Sequence, residues 1–306
     1  MIIAVFPGQG SQTPGFLSPW LELDGVRERL ETFSEQAGVD LVAAGTDWDA
    51  DRIRDTAVAQ PLIVAASLLS WAALQERTDA AVAGVAGHSV GEIAALAASG
   101  VLHDDDALRL VGLRGRAMAE AAAAVETGMS AVVGGDEQAV LDRLAELGLT
   151  PANYNGGGQI VAAGELPALS KLAGEAPRGA RVIPLQVAGA FHTRFMEPAV
   201  ETLRAAAADV EVSDPATTLW TNSDGSVVAE GRGALDLVVA QVASPVRWDR
   251  CMASFAEHGV TGIIELSPAG ALTGLAKRAL RGTPTVAVKT PDDLDAAVSL
   301  LKEDQA

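Results

Sequence analysis

The chain has a single cysteine, Cys251, among its 306 residues, and only four histidines. One cysteine excludes an internal disulfide, and histidines this few and this far apart offer little from which to build a metal site. We therefore expect no metal site. Cys251 is expected to be a small buried apolar residue.

Basic residues are also scarce, with 22 Lys and Arg against 40 Asp and Glu, a formal net charge of −18. A surface that follows phosphates needs dense Lys and Arg, so this balance disfavours nucleic acid and anionic membranes as partners. The first apolar run has no basic segment before it and meets a proline at Pro7, which disfavours a secretory signal. The longest apolar stretch, Pro61 to Leu74, is too short to span a bilayer. We expect a cytoplasmic monomer.

What the chain does have is enough apolar sequence for a sizeable core, with 49% hydrophobic residues. Short β-branched runs alternate with longer segments of helical period, which predicts a parallel sheet with helices on both faces. The predicted strands of this sheet are Ile2 to Phe6, Val82 to Gly87, Thr217 to Thr221, Gly262 to Leu266 and Thr285 to Val288. The clearest helices are Ala57 to Glu76, Asp104 to Ala123, Ala269 to Leu280 and Asp292 to Lys302.

A nucleophile elbow is predicted at Gly87-His88-Ser89-Val90-Gly91-Glu92, which follows an apolar run and opens the helix-like stretch Glu92 to Ser99. In such an elbow a strand turns sharply into a helix, and the flanking glycines remove Cβ clashes at the bend. The same five-residue pattern alone is compatible with an ordinary tight turn. Because a strand precedes it and a helix follows, the catalytic interpretation is favoured, with Ser89 exposed at the tip.

Between about residues 126 and 187 the rhythm changes to strand, helix, strand, strand, helix, strand. This order is typical of a ferredoxin-like βαββαβ unit. We predict an α/β fold in which residues 1–125 and 188–306 form a larger α/β-hydrolase-like domain with a mostly parallel sheet, and residues 126–187 an inserted ferredoxin-like subdomain. A cleft between the two bodies is the natural place for a ligand.

His192 is the best candidate for a general base. His88 belongs to the elbow and points away from the position of a base, and His103 and His258 lie among polar turn or helix-end residues. His192 lies just past the inserted unit, at the predicted cleft. A lone histidine is more often structural than catalytic, but this one accompanies a strand-borne nucleophile. Since no aspartate stands at a defensible third position, we predict a Ser–His dyad whose imidazole is oriented by a backbone carbonyl.

Four motifs occur along the chain at Pro7 to Gln12, Gly87 to Glu92, Arg114-Gly115 and Gly189 to His192. Their order and spacing are those of the malonyl-CoA:acyl carrier protein transacylases of bacterial type II fatty-acid synthesis, and the chain resembles this family over essentially its whole length. The likeness extends to Ala59-Gln60-Pro61, Asn153-Tyr154-Asn155, Gly158-Gln159 and Pro245-Val246-Arg247-Trp248.

The resemblance implies a role for each matching residue. Ser89 corresponds to the acyl-accepting nucleophile and His192 to its base, while Gln9 and Val90 supply the backbone N–H groups of the oxyanion hole. Arg114 corresponds to the arginine that pairs with the malonyl carboxylate, although an arginine in such a helix is more often solvated or paired with a surface acid. The implied substrate pocket comprises Phe191, Gln60, Asn155 and Met118. The carbonyl that orients His192 falls at Arg247, where many relatives have glutamine.

The implied reaction is a ping-pong transfer of malonyl from malonyl-CoA to acyl carrier protein, in fatty-acid or polyketide synthesis, with no cofactor. Because acyl carrier proteins are expected to be acidic, a basic docking cluster is predicted at Lys277, Arg278, Arg281 and Lys289, although a solvated helix end accounts for it equally well. Two alternatives remain open. A serine esterase shares the elbow but normally adds a triad acid, and a non-catalytic carrier-protein-binding module would keep only a relic site.

Overall fold

The computed structural model describes residues 1–304, which form ten strands and twelve helices. The strands are β1 Ile2–Phe6, β2 Gly84–Gly87, β3 Thr127–Gly134, β4 Thr150–Gly156, β5 Gln159–Glu165, β6 Ala180–Pro184, β7 Thr218–Trp220, β8 Val227–Val228, β9 Gly262–Glu265 and β10 Thr285–Ala287. The helices are α1 Val26–Ala37, α2 Leu41–Thr46, α3 Thr56–Arg77, α4 Gly91–Ala98, α5 Asp104–Ala124, α6 Glu137–Glu146, α7 Leu166–Gly174, α8 Glu197–Ala207, α9 Gly231–Gln241, α10 Trp248–Glu257, α11 Ala271–Ala279 and α12 Leu294–Glu303.

The larger sheet has the order β10-β9-β1-β2-β7-β8, and all its pairs are parallel except β7 with β8. Alternate residues of β1 face opposite sides. Ile2, Ala4 and Phe6 pack into the core that contains α3, α4 and α5, whereas Ile3 and Val5 pack against α10 and α11. The predicted parallel sheet with helices on both faces is therefore confirmed, with strand ends within two residues of the predicted ones.

The second sheet has the order β4-β5-β3-β6 and is antiparallel throughout. This is the strand order of a ferredoxin-like unit, and α6 and α7 cover one face through a small core that includes Val132, Leu144 and Leu172. All its strands lie inside the predicted subdomain. The boundaries at 126 and 187 themselves stay predictions.

Helix α3 is longer than the apolar stretch suggests. With 22 residues it is long and apolar enough to cross a membrane, but 78% of its most apolar window is buried inside the protein. Leu62, Val64 and Leu69 lie in the main core. The apolar side chains of α3 therefore pack in the core of the protein.

The two sheets are joined at a seam beside the large sheet's carboxyl edge. The Tyr154 N–H in β4 donates to the Val246 carbonyl, and the Val246 N–H donates to the Ala152 carbonyl, each at 2.9 Å. Met129 and Val161, on the face of the second sheet away from α6 and α7, extend the main core. The cleft between the sheets contains the candidate site.

Candidate active site

The elbow at Ser89 depends on two glycines. Strand β2 ends at Gly87, helix α4 begins at Gly91, and Ser89 between them has φ of 54° in the left-handed region. A Cβ on Gly87 would lie 2.0 Å from the Gly91 carbonyl carbon, and one on Gly91 would lie 2.2 Å from the Phe6 carbonyl oxygen. A non-glycine residue held in this region costs about 1–3 kcal/mol, which the surrounding packing must offset.

Ser89 and His192 are in hydrogen-bond contact. Ser89 Oγ lies 2.8 Å from His192 Nε2, and His192 Nδ1 lies 2.9 Å from the Gln241 carbonyl oxygen. Because that carbonyl can only accept, Nδ1 carries the proton and Nε2 is free to accept the serine proton. Burial, and next the charge of Arg114, lower the pKa of His192 to about 3, so the imidazole is neutral near pH 7.

The prediction that the Arg247 carbonyl orients the base is wrong. That carbonyl accepts the N–H groups of Arg250 and Cys251 at the start of α10, which leaves it aimed along the helix. The orienting residue is Gln241, the last residue of α9, whose carbonyl accepts the Ser244 N–H at 3.0 Å and the Nδ1–H of His192 at 2.9 Å. The Arg247 side chain pairs with Asp249 and lies over the Tyr154 ring.

Arg114 is buried in the middle of α5, with 1% of its surface exposed. Its Nη1 donates to Gln60 Oε1 at 2.6 Å and its Nη2 to Gln241 Oε1 at 3.5 Å, while Nε has no hydrogen-bond partner among residues 1–304. Burial lowers the pKa of Arg114 to about 10, against the opposing charge of Glu92, so the side chain stays charged near neutrality. The solvated-surface alternative for this arginine is excluded.

A cavity of about 420 Å³ opens at the dyad. Ser89 and His192 line it, as do the predicted oxyanion and pocket residues Gln9, Val90, Gln60, Met118, Asn155 and Phe191. Residues of β3 and β5 form its opposite wall, so it lies in the cleft between the sheets. Arg114 is not on the wall; Gln60, which accepts its hydrogen bond, is. Arg278, from the predicted basic cluster, lies at the same cavity, and the other three members are exposed.

His88 points away from the nucleophile, as the elbow geometry predicts. Its Nε2 donates to Asn155 Oδ1 at 2.9 Å, and Asn155 Nδ2 in turn donates to Gln159 Oε1 at 3.0 Å. Burial lowers the pKa of His88. A Cβ on Gly8 would lie 2.9 Å from the His88 ring, so the loop that carries Gln9 packs directly on this histidine. His88 therefore fixes the cavity wall rather than serving as a base.

Two site residues, Asn222 and Gln241, are absent from the sequence prediction. Asn222 Oδ1 accepts the Ser89 N–H at 2.8 Å, and its Nδ2 donates to the Gly87 carbonyl at 2.7 Å, so this amide ties both sides of the elbow. Asn222 follows β7 at the same sheet edge as the elbow. A polar residue directly after a predicted strand was the signal available for it; for Gln241 none was, because α9 is absent from the predicted helices. Within residues 1–304 no cluster of three His, Cys, Asp or Glu side chains could hold a metal.

Comparison with known proteins agrees with this geometry. The family model described as Acyl transferase domain matches residues 3–303. A malonyl CoA-acyl carrier protein transacylase of Mycobacterium tuberculosis (strain H37Rv) is 54% identical over 304 residues, which are 98% of this chain and 100% of that protein. The chain belongs to the malonyl CoA-acyl carrier protein transacylase family. It is an acyltransferase.

Solved structures of the transacylase family share the fold. The crystal structure of MCAT from Mycobacterium tuberculosis superimposes with a TM-score of 0.94 at 54% identity, covering 97% of this chain and 99% of that one. A complex described as a type II PKS acyl-carrier protein with its malonyl-transacylase gives a TM-score of 0.92 at 31% identity, with 97% and 99% coverage. The predicted fold class is confirmed as that of the transacylase family.

Proposed function

We propose that this enzyme moves a malonyl group from malonyl-CoA to the phosphopantetheine thiol of an acyl carrier protein in two half-reactions, through an ester on Ser89. The observation that carries the proposal is the 2.8 Å contact of Ser89 Oγ with a neutral His192 beside a buried, charged Arg114. Family membership supports the same donor and acceptor. The serine provides the nucleophile, and the arginine accounts for the choice of a carboxylate-bearing acyl group.

In the first half-reaction Ser89 Oγ attacks the thioester carbonyl while His192 Nε2 takes its proton. The Gln241 carbonyl holds Nδ1–H, which keeps the accepting nitrogen on the serine and stabilises the imidazolium as it forms. The N–H groups of Gln9 and Val90, both at the cavity, bind the oxyanion of the tetrahedral intermediate. When the intermediate collapses, the C–S bond breaks and His192 returns the proton to the sulfur, which leaves as coenzyme A thiol.

In the second half-reaction the thiol of the carrier-protein arm enters the emptied cavity. His192 Nε2 takes the thiol proton, sulfur attacks the malonyl ester on Ser89, and the same N–H pair binds the new oxyanion. The C–O bond then breaks, and His192 returns the proton to Ser89. Every proton moves between His192 and a reacting atom, so the cycle uses no metal and no cofactor.

Recognition of malonyl is assigned to Arg114. The guanidinium has one donor, Nε, without a partner in the described part of the chain, and a second, Nη1, that is held by the amide of Gln60. Because Gln60 lines the cavity and Arg114 does not, rotation of that amide would uncover Nη1, which with Nη2 presents an N–H pair suited to a carboxylate. Phe191 at the wall is assigned to excluding an α-methyl group, and Asn155 and Met118 to the surrounding pocket.

Docking of the carrier protein is assigned to four exposed basic residues, Lys277, Arg278, Arg281 and Lys289. The chain is acidic overall, so a local positive patch is needed to attract an acidic partner. Arg278 supports this placement, because it lies at the cavity through which the carrier arm must enter.

An esterase would differ in two respects. Its base would normally contact a carboxylate, whereas the Nδ1–H of His192 contacts a backbone carbonyl, and it has no need of a buried arginine beside the acyl site. Intact-mass measurement after treatment with malonyl-CoA, methylmalonyl-CoA or acetyl-CoA tests the proposal. Malonyl should add to wild type and not to Ser89→Ala, and added holo carrier protein should remove it. Malonyl addition to Ser89→Ala, or hydrolysis of simple esters in preference to loading, would refute the proposal.

A further inference from the structure

Glu92 is a buried carboxylate with no part in the mechanism above. It lies in the first turn of α4, three residues after the nucleophile, and 4% of its surface is exposed. Its N–H donates to the Ser89 carbonyl at 3.0 Å. Oε1 accepts the Asn222 N–H at 2.7 Å, and Oε2 accepts a hydrogen bond from Gln241 Nε2. The two oxygens therefore bind residues from two different parts of the chain.

These two partners are the residues that contact the dyad. Asn222 Oδ1 accepts the N–H of Ser89 at 2.8 Å and that of Gln241 Nε2 at 3.0 Å. The Gln241 carbonyl accepts the Nδ1–H of His192 at 2.9 Å. Glu92 is thus connected by hydrogen bonds to Ser89 through Asn222 and to His192 through Gln241.

We propose that Glu92 is a positioning residue that sets the distance between nucleophile and base, by holding Asn222 and Gln241 together; this rests on the Ser89–His192 dyad. Ser89, Asn222 and Gln241 lie on the turn after β2, the turn after β7 and the end of α9. Sheet hydrogen bonds do not reach the end of α9. A carboxylate with two acceptor oxygens binds donors from both elements at once, and charge-assisted hydrogen bonds are about twice as strong as neutral ones.

The surroundings of Glu92 suit this role. Burial raises its pKa to about 8, and the Asn222 N–H and the charge of Arg114 act in the opposite direction. A pKa of about 8 would leave the group mostly neutral near pH 7. Both oxygens accept from N–H donors, however, and neither donates to an acceptor within residues 1–304, so the hydrogen-bond pattern assigns the ionised form. The N-terminal end of α4 also favours a negative charge at this position.

Glu92→Gln tests the proposal. The amide replaces one acceptor oxygen by a donor, which cannot bind both Asn222 N–H and Gln241 Nε2–H. We expect the single-turnover rate of Ser89 acylation to fall about 10- to 100-fold, the cost of a misplacement of roughly an ångström. The acylation rates with malonyl-CoA and with acetyl-CoA should fall by the same factor, because both substrates use the dyad. The KM values should change little.

Glu265→Gln is the matched control. Glu265 is equally buried, and its two oxygens accept the N–H groups of Leu272 and Thr273 at 2.9 and 2.8 Å, neither of which hydrogen-bonds to Ser89, His192, Asn222 or Gln241. This variant should lower the melting temperature and leave the acylation rate of folded enzyme unchanged. A lower melting temperature with a wild-type rate in Glu92→Gln as well would reduce Glu92 to a structural residue and overturn the proposal.

Gln241→Met provides a second route if Glu92→Gln folds poorly. It keeps the carbonyl that binds His192 and removes the side chain that binds Glu92, so acetyl loading should slow to a similar extent. The double variant should be no slower than the slower single variant, because both changes break one link. If the rate losses of the two single variants multiplied in the double variant, the two side chains would act independently, and the proposed connection between Glu92 and Gln241 would be refuted. Ser89→Ala and His192→Ala, assayed alongside, distinguish failure of the dyad from failure of the positioning role of Glu92. Normal loading of either variant would refute the dyad, and the positioning role with it.

Discussion

Replacing Arg114 by alanine should change which acyl group the enzyme accepts. The guanidinium is buried and charged; its Nε has no hydrogen-bond partner among residues 1–304, and its amide partner, Gln60, lies at the cavity wall. Without it, a malonyl carboxylate in the cleft would face Gln60 and no cation. An acetyl group has no carboxylate and would lose no interaction.

The size of the effect follows from the burial of the pair. Truncating one partner of a buried, hydrogen-bonded charge pair costs about 2–5 kcal/mol. At about 1.36 kcal/mol per decade, this is a roughly 30- to 5,000-fold loss in kcat/KM for malonyl-CoA. Acetyl-CoA should change only a few-fold, so the preference for malonyl should flatten or invert while Ser89 stays acylatable.

The assay is the rate of Ser89 acylation by each coenzyme A ester, followed by rapid quench and intact mass. Arg114→Met serves as the packing control, because it keeps most of the unbranched apolar part of the side chain without the charge. Arg116→Ala, two residues along α5 and exposed, controls for loss of a positive charge in general. Equal loss of malonyl and acetyl transfer in Arg114→Ala, with an unchanged melting temperature, would assign Arg114 to the site's architecture or to coenzyme A and would refute malonyl recognition by this residue.

Phe191→Ser should raise methylmalonyl loading about tenfold to a hundredfold without abolishing malonyl loading, since one methyl group is worth about 1–3 kcal/mol in a pocket; unchanged methylmalonyl loading in folded protein would contradict the gatekeeping role. Charge reversal at Lys277 and Arg278 should raise KM for the carrier protein at low salt, an effect that added salt should diminish. Equal transfer rates at low salt would refute the docking site. Because burial lowers the pKa of His192 to about 3, acylation should show no loss of base at pH 6.5. The contribution of this histidine to the free energy of unfolding should be complete above pH 6.5 and be lost as the pH falls toward 3, which denaturant titrations of wild type and His192→Ala can measure. A steep loss of rate with a midpoint near pH 6.5 would show that the buried imidazole titrates normally.

The parts of the site that could be predicted from sequence are those specified locally. The elbow can be recognised from adjacent residues. Gly87 and Gly91 are both required, because an added Cβ would lie 2.0 Å from a backbone atom at the first position and 2.2 Å at the second. The strands and the inserted sheet follow from short periodic runs between turn residues. Helices α1, α2, α8, α9 and α10 and strand β8 are absent from the predicted set.

The orienting carbonyl could not be located in the same way. Every residue has a carbonyl, so residue type carries no signal, and only the packing of α9 against the dyad shows that Gln241 rather than Arg247 faces His192. The two are six positions apart; α9 ends at Gln241, and Arg247 directly precedes α10. The roles of Glu92 and Asn222 are hidden for a related reason, since their hydrogen bond joins positions 130 residues apart. Identical side chains in another topology would have no such contact.

The hydrogen-bonded sequence from Ser89 through His192 to the Gln241 carbonyl also has a consequence during synthesis of the protein. Ser89 and its base are separated by 103 residues, and the acceptor of the base follows 49 residues later. A ribosome-bound chain that ends before position 241 has a serine but no oriented imidazole. Such a fragment lacks the carbonyl that holds Nδ1–H, so the contact between Ser89 and an oriented His192 can form only after α9 has been made and folded.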